Sequence, residues 1–258
     1  MSSSAKRALR MLATVGESGR PMGVTEIARA NGIAPGTAFR GLDALQRAHL
    51  LARHPSAPRY ILGAAASALR QSVLSQFRIR DICLPYLRQL ASASGETTSL
   101  HVKIGWYAVR IATVPGTAEV TSGTILGGAH ILSADIAGRA ILSQLCREDT
   151  LRYVSWISSN GFDIPVEIES DLAVIRARGF AQSDARNGGI AFPICKADQP
   201  FAAVVVEGPG FAHRTGKAPP AAEWLTIARA IEALVRANPS LASQPFEHLD
   251  PDRAILPS

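Results

Sequence analysis

Thr37, Arg40, Ala44 and Arg47 recur along one side of the segment Pro35 to Arg47, while Ala38, Leu42 and Leu45 recur at 3.6-residue spacing along the other. A guanidinium presents a rigid fork of N–H donors that fits a phosphate or the O6/N7 edge of guanine, and a threonine hydroxyl suits either partner. The chemistry written on that face is therefore recognition of a polyanion in a major groove rather than bond making. The alternative for such a face is solvation on a small helical bundle.

Residues that could make or break bonds are scarce. There is no Gly-x-Ser-x-Gly elbow, phosphate-binding glycine loop, dinucleotide fingerprint or His-Glu-x-x-His pair. His49 and His54 stand five apart, the wrong spacing for one helical face, and His101, His130, His213 and His248 are scattered. Cys195 beside Lys196 is an activated thiol only if a histidine approaches it in space; a packed cysteine at a turn is the commoner case. Cys83, Cys146 and Cys195 lie far apart with no CxxC pair, which argues against a disulfide framework or zinc set and for reduced thiols. No catalytic residue, metal or cofactor is expected.

The elements that must position the arginines are legible around them. Thr25 is a suitable N-cap for a short helix running to about Asn31, Gly32 makes the turn, and Ala34-Pro35 restarts the chain with proline at the first helical position. The run LLARHPSAPRYILG places two short apolar strands either side of a Pro-containing tip with Arg53, His54 and Arg59. A helix-turn-helix followed by a basic hairpin makes a winged helix over residues 1–62, its wing able to lie along phosphates. A first helix over 5–16 turns Leu9, Leu12 and Val15 inward, with Lys6, Arg7 and Arg10 at its start.

Charge location supports this division. The chain carries a net +6; residues 1–62 hold nine Lys/Arg against three acids, and the remainder holds eighteen of each. The whole net charge thus sits on the head, as expected where one part releases counterions from a nucleic acid and the other need not. With no signal-peptide pattern and no apolar run of about 18 residues, the chain is expected to be soluble, cytoplasmic and without membrane contact.

Residues 63–78 form a linker helix whose narrow stripe of Leu62, Ala66, Leu69 and Val73 suits a helix-packing seam and dimer contacts. Residues 79–238 read as a second domain. A helix over Ile79 to Ser94 has Pro85 as a kink or boundary, and TTSLHVKIG alternates Leu100, Val102 and Ile104 against Ser99, His101 and Lys103 before a second strand, WYAVRIATV. A strand over 117–125 and a glycine-rich loop lead into a helix capped near Ser133 or Asp135. A region of mixed character follows, containing a helix over Glu167 to Ala177. Strands at Ile190–Ile194 and Phe201–Val206 and a helix over Ala221 to Asn238, with Leu225, Ile227, Ile231 and Leu234 inward, complete the domain; residues 239–258 read as a loose tail. The fold class is α+β: a winged helix-turn-helix, a linker helix and a layered α/β domain of antiparallel strands with helices on one side, a shape that often holds a small ligand.

The segments KRALRMLATV, VTEIARANGIAPGTAFRGLDAL, RYILG, LSADIAGRAILSQL, IRARGFAQSD and FAAVVVEGPGFAHR resemble, in order and spacing, the IclR family of bacterial transcriptional regulators over nearly the full length. The resemblance implies a winged helix on a palindromic operator, a GAF-like effector domain that binds a small metabolite, a homodimer or dimer of dimers, and regulation, more often repression, through coupling of the two domains. It implies DNA-binding roles for Arg7, Thr25, Gly36, Thr37, Arg40, Arg47, Arg53 and Arg59, and effector-binding roles for Ser133, Ala134, Asp135, Asp184, Gly189, Val205 and Glu207.

The chain departs from the family at both sites. Pro35-Gly36-Thr37 replaces a Lys-Ser-Thr type start, and Gly41 replaces a leucine at a helix-interior cost of about 0.5–1 kcal/mol. In the effector segment SDARNGGIAFP, Gly189 stands near a family cysteine, and Val205 and Glu207 stand where family serines can hold a carboxylate. Glu207 is expected to repel a simple carboxylate, leaving a neutral, apolar or cationic effector, or a domain that senses nothing. Three functions follow: a ligand-responsive DNA-binding regulator, a DNA-binding protein with a silent C-terminal domain, or an enzyme built on the α/β domain.

Overall fold

Periodic apolar spacing, a proline restart and glycine turns shape the N-terminal unit of the computed structural model, which describes residues 3–117, 126–163, 168–183, 188–197, 199–211, 221–238, 240 and 250–252. Helices α1 (Ser3–Glu17), α2 (Val24–Ala30) and α3 (Pro35–Arg47) are followed by strands β1 (Leu51–Arg53) and β2 (Tyr60–Leu62), paired antiparallel with Leu51 opposite Leu62, and by α4 (Ala64–Leu74). Gly32 takes φ +62°, a conformation that side chains disfavour, and Pro35 opens α3 as read from the sequence. Ala38, Leu42 and Leu45 are buried with Met11, Val15, Ile27, Leu51 and Tyr60.

Thr25 is not the cap of α2: Gly23 is, and its N–H donates to the Glu26 carboxylate three residues on. Glu26 is itself held by Arg20, which places an acid in the first turn where the helix dipole favours it. Leu9 is exposed, because Met11 and Val15 carry the inner stripe of α1 with Ala8 and Leu12 beside them. The linker helix expected over 63–78 stops at Leu74, Leu62 of its expected stripe lies in β2 instead, and Leu62, Leu69 and Val73 stay exposed.

The second unit begins at Gln76. Helix α5 (Arg78–Ser94) carries Pro85 within it and ends on Gly95 at φ +73°. Strands β3 (Thr97–Ile104), β4 (Tyr107–Val114) and β5 (Ala129–Ile131) precede helices α6 (Ile136–Ser143), α7 (Arg147–Ser159) and α8 (Ile168–Arg178); strands β6 (Ala181–Ser183), β7 (Gly189–Lys196) and β8 (Gln199–Glu207), a 3₁₀ turn at Pro209–Phe211 and α9 (Ala221–Ala237) follow. The strands form one antiparallel sheet in the order β5-β4-β3-β8-β7-β6.

Helices cover both faces of this sheet, not one. Helices α5 and α9 pack on one side and α6, backed by α8, on the other. The alternation in β3 therefore does not separate core from solvent: Ser99 and His101 are as buried as Leu100 and Val102. Helix α7, with Tyr153, Trp156 and Ile157 inward, and strands β5 and β6 were not anticipated. In α9 the deepest residues are Trp224, Ile227, Ala228, Ile231 and Val235, so Leu225 and Leu234 are only half-buried.

The tail is pinned where it is described. The Asp252 carboxylate accepts from Trp106 Nε1 at 2.8 Å and Arg152 at 3.0 Å, and its carbonyl accepts from Trp156 Nε1. The strand expected over 117–125 falls, beyond Thr117, outside the described residues.

Gly138 in the first turn of α6 lies against the Leu132 backbone, where a Cβ would collide with the carbonyl oxygen and stand 2.6 Å from the Leu132 Cα. Gly138→Ala, a change that helix propensity alone would favour, is expected to destabilise the fold by about 2 kcal/mol through overpacking, measured by urea unfolding.

Candidate functional site

In the N-terminal unit the residues around α3 divide by what already holds them. Arg40 is exposed with no ion pair to an acid among the described residues, Gly36 is exposed, and Thr37 is half-buried. Arg47 is exposed but pairs with Asp43 one turn back at 2.6 Å, a bond typical of a solvated helix face. Arg7 is exposed on α1 and Thr25 on the first turn of α2.

The hairpin arginines are more engaged. Arg53 stacks its guanidinium 4.2 Å from the centre of the buried Tyr60 ring. Arg59 donates to the Pro21 carbonyl at 3.0 Å and lies 3.8 Å from Glu26, so it braces the hairpin against the start of α2.

In the second unit the sheet face under α6 carries an unusual set of polar groups. Arg110 of β4 reaches across β3 to Glu207 of β8, with 2.7 Å between guanidinium nitrogen and carboxylate oxygen and both side chains largely buried. Between them on β3, Ser99 Oγ lies 3.0 Å from His101 Nε2. Burial holds the His101 imidazole well below its usual range, and the neighbouring charges of Arg110 and His130 push the same way, so the ring is neutral. Among the described residues, His101 Nδ1 and Thr113 Oγ1 are buried without a hydrogen-bond partner.

Asp135 closes this set as the N-cap of α6, accepting the Gly138 N–H at 2.7 Å. Burial pushes its carboxyl up against the pull of that N–H, of His130 and of Arg110, and Glu207 adds to the rise. The face thus holds one matched ion pair, a neutral histidine and a carboxyl shifted toward its protonated form. Glu207 was expected to repel anions with little to offset it; Arg110 offsets it.

The other expected effector residues divide. Val205 is buried on this sheet face opposite Ser99. Gly189 pairs with Glu207, and a Cβ there would press on the Val206 carbonyl at 2.6 Å and Ile136 at 3.0 Å, which explains glycine in a close approach of helix and strand. Ser133 is committed elsewhere: its N–H donates to the Tyr153 hydroxyl at 2.8 Å, and that hydroxyl donates back to Ser133 Oγ at 2.7 Å. Ala134 is exposed, and Asp184 lies outside the described residues.

Catalytic and metal chemistry finds little to build on. Cys83 is buried and its thiol pushed up to about 12 by desolvation, Cys146 caps α7 by accepting from Asp149 N–H, and Cys195 ends β7 half-buried. Among the described residues no group of three His, Cys, Asp or Glu could hold a metal ion, and no helix is long and apolar enough to cross a membrane.

The IclR helix-turn-helix domain matches residues 4–55, and the bacterial transcriptional regulator IclR C-terminal domain matches residues 71–215. The chain belongs to the IclR family. It is a DNA-binding transcriptional regulator. Among similar proteins, the transcriptional repressor IclR of Escherichia coli K12 is 28% identical over 218 residues, covering 80% of each chain, and the glycerol operon regulatory protein of Streptomyces griseus is 36% identical over 99 residues, covering 38% of this chain and 39% of its own. An IclR homolog of Microbacterium hydrocarbonoxydans, solved with 4-hydroxybenzoate, shares the fold with a TM-score of 0.70 at 22% identity, over 92% of this chain and all of the other. Thermotoga maritima IclR shares it with a TM-score of 0.64 at 21% identity, over 94% and 100%.

Sequence reasoning passed over Arg110, Ser99 and Thr113 in this IclR-family chain. A signal was present: Arg110 is the single charge in the otherwise apolar or neutral strand Tyr107–Val114, and a lone charge in a strand covered on both faces needs a partner.

His101 provides a pH test. Its folded form resists protonation while the unfolded chain protonates near 6.5, so its contribution to stability is present above that pH and lost as pH falls, at most about 1.4 kcal/mol per pH unit. Asp135 acts with the opposite sign above 3.8. His101→Gln is expected to flatten the loss of stability between pH 6.5 and 5 relative to wild type in urea titrations; parallel curves would place the acid sensitivity elsewhere.

Proposed function

We propose that this regulator is a repressor that binds a palindromic operator as a homodimer through α3 and the β1–β2 hairpin, and that a small molecule held under α6 modulates its affinity. The observation that carries the reading is Arg40: it stands exposed on the side of α3 opposite the buried Ala38, Leu42 and Leu45, on a head that bears the whole net charge of the chain. Gly36, Thr37 and Arg47 share that helix as contacts to the groove and backbone, while Arg7, Thr25, Arg53 and Arg59 flank it as phosphate contacts, Arg59 after giving up its present partners. Relatives named as repressors of other operons support the sign of regulation. The family and the absence of a catalytic set in the sequence favour a regulator over an enzyme, acting on the chromosome in the cytoplasm.

Leu69 and Val73, exposed four residues apart on α4, with the exposed Leu62 of β2, support the dimer, since an apolar pair on one helix face suits a second copy of the same helix. Ser99, His101, Arg110, Asp135, Val205 and Glu207, with Gly189 at the edge, form the effector cradle. Their balanced charges favour an uncharged ligand with hydrogen-bonding groups over a carboxylate, which would need Glu207 displaced. A neighbour of this fold solved with 4-hydroxybenzoate supports a small organic effector.

Fluorescence anisotropy with genomic duplexes recovered by the protein tests the DNA reading. Wild type is expected to bind with affinity falling linearly in log salt, and Arg40→Ala to weaken binding about ten-fold or more. Indifference of wild type to duplexes at 50 mM salt overturns it. Leu69→Glu, on a residue 60% exposed, is expected to fold normally yet sediment as a monomer and lose operator affinity; a persistent dimer would remove α4 from the interface.

A further inference from the structure

Phe39 sits on α3 beside Arg40 with 51% of its surface exposed, and it is the one aromatic among the exposed large hydrophobic side chains of the described residues. Helical geometry of about 100° per residue puts it on the side of α3, roughly midway between the buried stripe and the outer face, about 100° from Arg40 and with Gly36 one turn earlier between the two. Its ring takes no part in the core of Met11, Ile27, Ala38, Leu42 and Leu45.

Gly36 adds an independent observation. It lies in the first turn of a helix with no positive φ, and a Cβ built on it would meet nothing within 4 Å. Nothing in the fold requires glycine there. Gly41 in the same helix differs in that a Cβ there would meet the end of the Met11 side chain, which would have to shift. The space at Gly36 is therefore kept open on the outside, next to an exposed aromatic ring, at the helix end that enters a groove first.

We propose that Phe39 reads a thymine in the major groove through its 5-methyl group, with the empty position at Gly36 giving the base edge room to approach and Arg40 contacting a neighbouring guanine or phosphate. The 5-methyl of thymine is the one apolar group that the natural base pairs present in that groove, so an exposed aromatic side chain has a single partner of matching chemistry there. This rests on α3 being the groove-entering helix, as proposed above.

The test uses the full chain and a randomised 30-base-pair duplex pool. Wild type, Phe39→Ala and Arg40→Ala each select from the pool, and every thymine of the wild-type motif is then replaced singly by uracil, which removes only the methyl group. At one thymine per half-site, uracil is expected to weaken wild-type binding about three- to five-fold, the worth of one buried methyl group. Phe39→Ala is expected to bind the thymine and uracil duplexes equally and to lose its base preference at that position. Arg40→Ala is expected to keep the thymine preference while binding every duplex more weakly. A wild type indifferent to uracil at every position, or a Phe39→Ala protein with the wild-type motif and uracil penalty, overturns the assignment while leaving DNA binding intact. A pool that returns unenriched overturns the groove reading itself, and the assignment with it. The uracil arm on wild type needs no variant, so misfolding of Phe39→Ala does not blunt the test.

Discussion

A carboxylate on a strand covered by helices on both faces is tolerable only with a partner, and Arg110 supplies it to Glu207 across the width of β3. That one ion pair sets the character of the sheet face under α6. It matches the guanidinium of that face to a carboxylate, and its positive end helps keep His101 neutral. The unpartnered Nδ1 of His101 and hydroxyl of Thr113 remain as hydrogen-bonding groups in an otherwise apolar wall of Val205, Ala203 and Ala191. A buried polar atom without a partner costs free energy unless something else satisfies it, and a bound small molecule is one such something.

The head obeys a different constraint. Ten buried residues, from Met11 to Tyr60, form its core, and the spacing of those on α3 leaves the opposite face of that helix with no role in holding the fold. Side chains on such a face are free to be chosen for a partner. Arg40, Phe39 and the vacant Gly36 are consistent with that freedom, whereas a Cβ at Gly41 in the same helix would displace the end of the Met11 side chain. The two units thus differ in how a key charge is held: Arg40 is exposed and without an ion pair among the described residues of the first, whereas Arg110 and Glu207 are largely buried and paired in the second.

How much of this was legible follows from where each interaction lies in the chain. The helix-turn-helix could be read because its determinants are local: Gly32 at the turn, Pro35 at the helix start, and apolar residues three and four apart. Thr25 misled because residue preference favours threonine as a cap, whereas the Glu26 carboxylate secures the N–H of Gly23 instead. The alternation in β3 says which residues share a face but not what covers it, so helices on both sides of the sheet were not legible from it. Arg110 and Glu207 stand 97 positions apart, by the numbering of their ion pair, and meet only because β8 lies next to β3 in the sheet. No spacing rule reaches that far, so the charge of Glu207 could be read and its neutralisation could not.

Neutralisation of Glu207 by Arg110 is tested most directly by matched calorimetric titrations. Small amides and alcohols, each paired with the carboxylate of the same shape, would be titrated into the full-length protein at neutral pH. The paired-charge cradle predicts that a ligand which binds does so at least about ten-fold tighter in its uncharged form. Tight binding of a carboxylate that disappears in Arg110→Met would show Arg110 free to receive an anion, and would contradict the account.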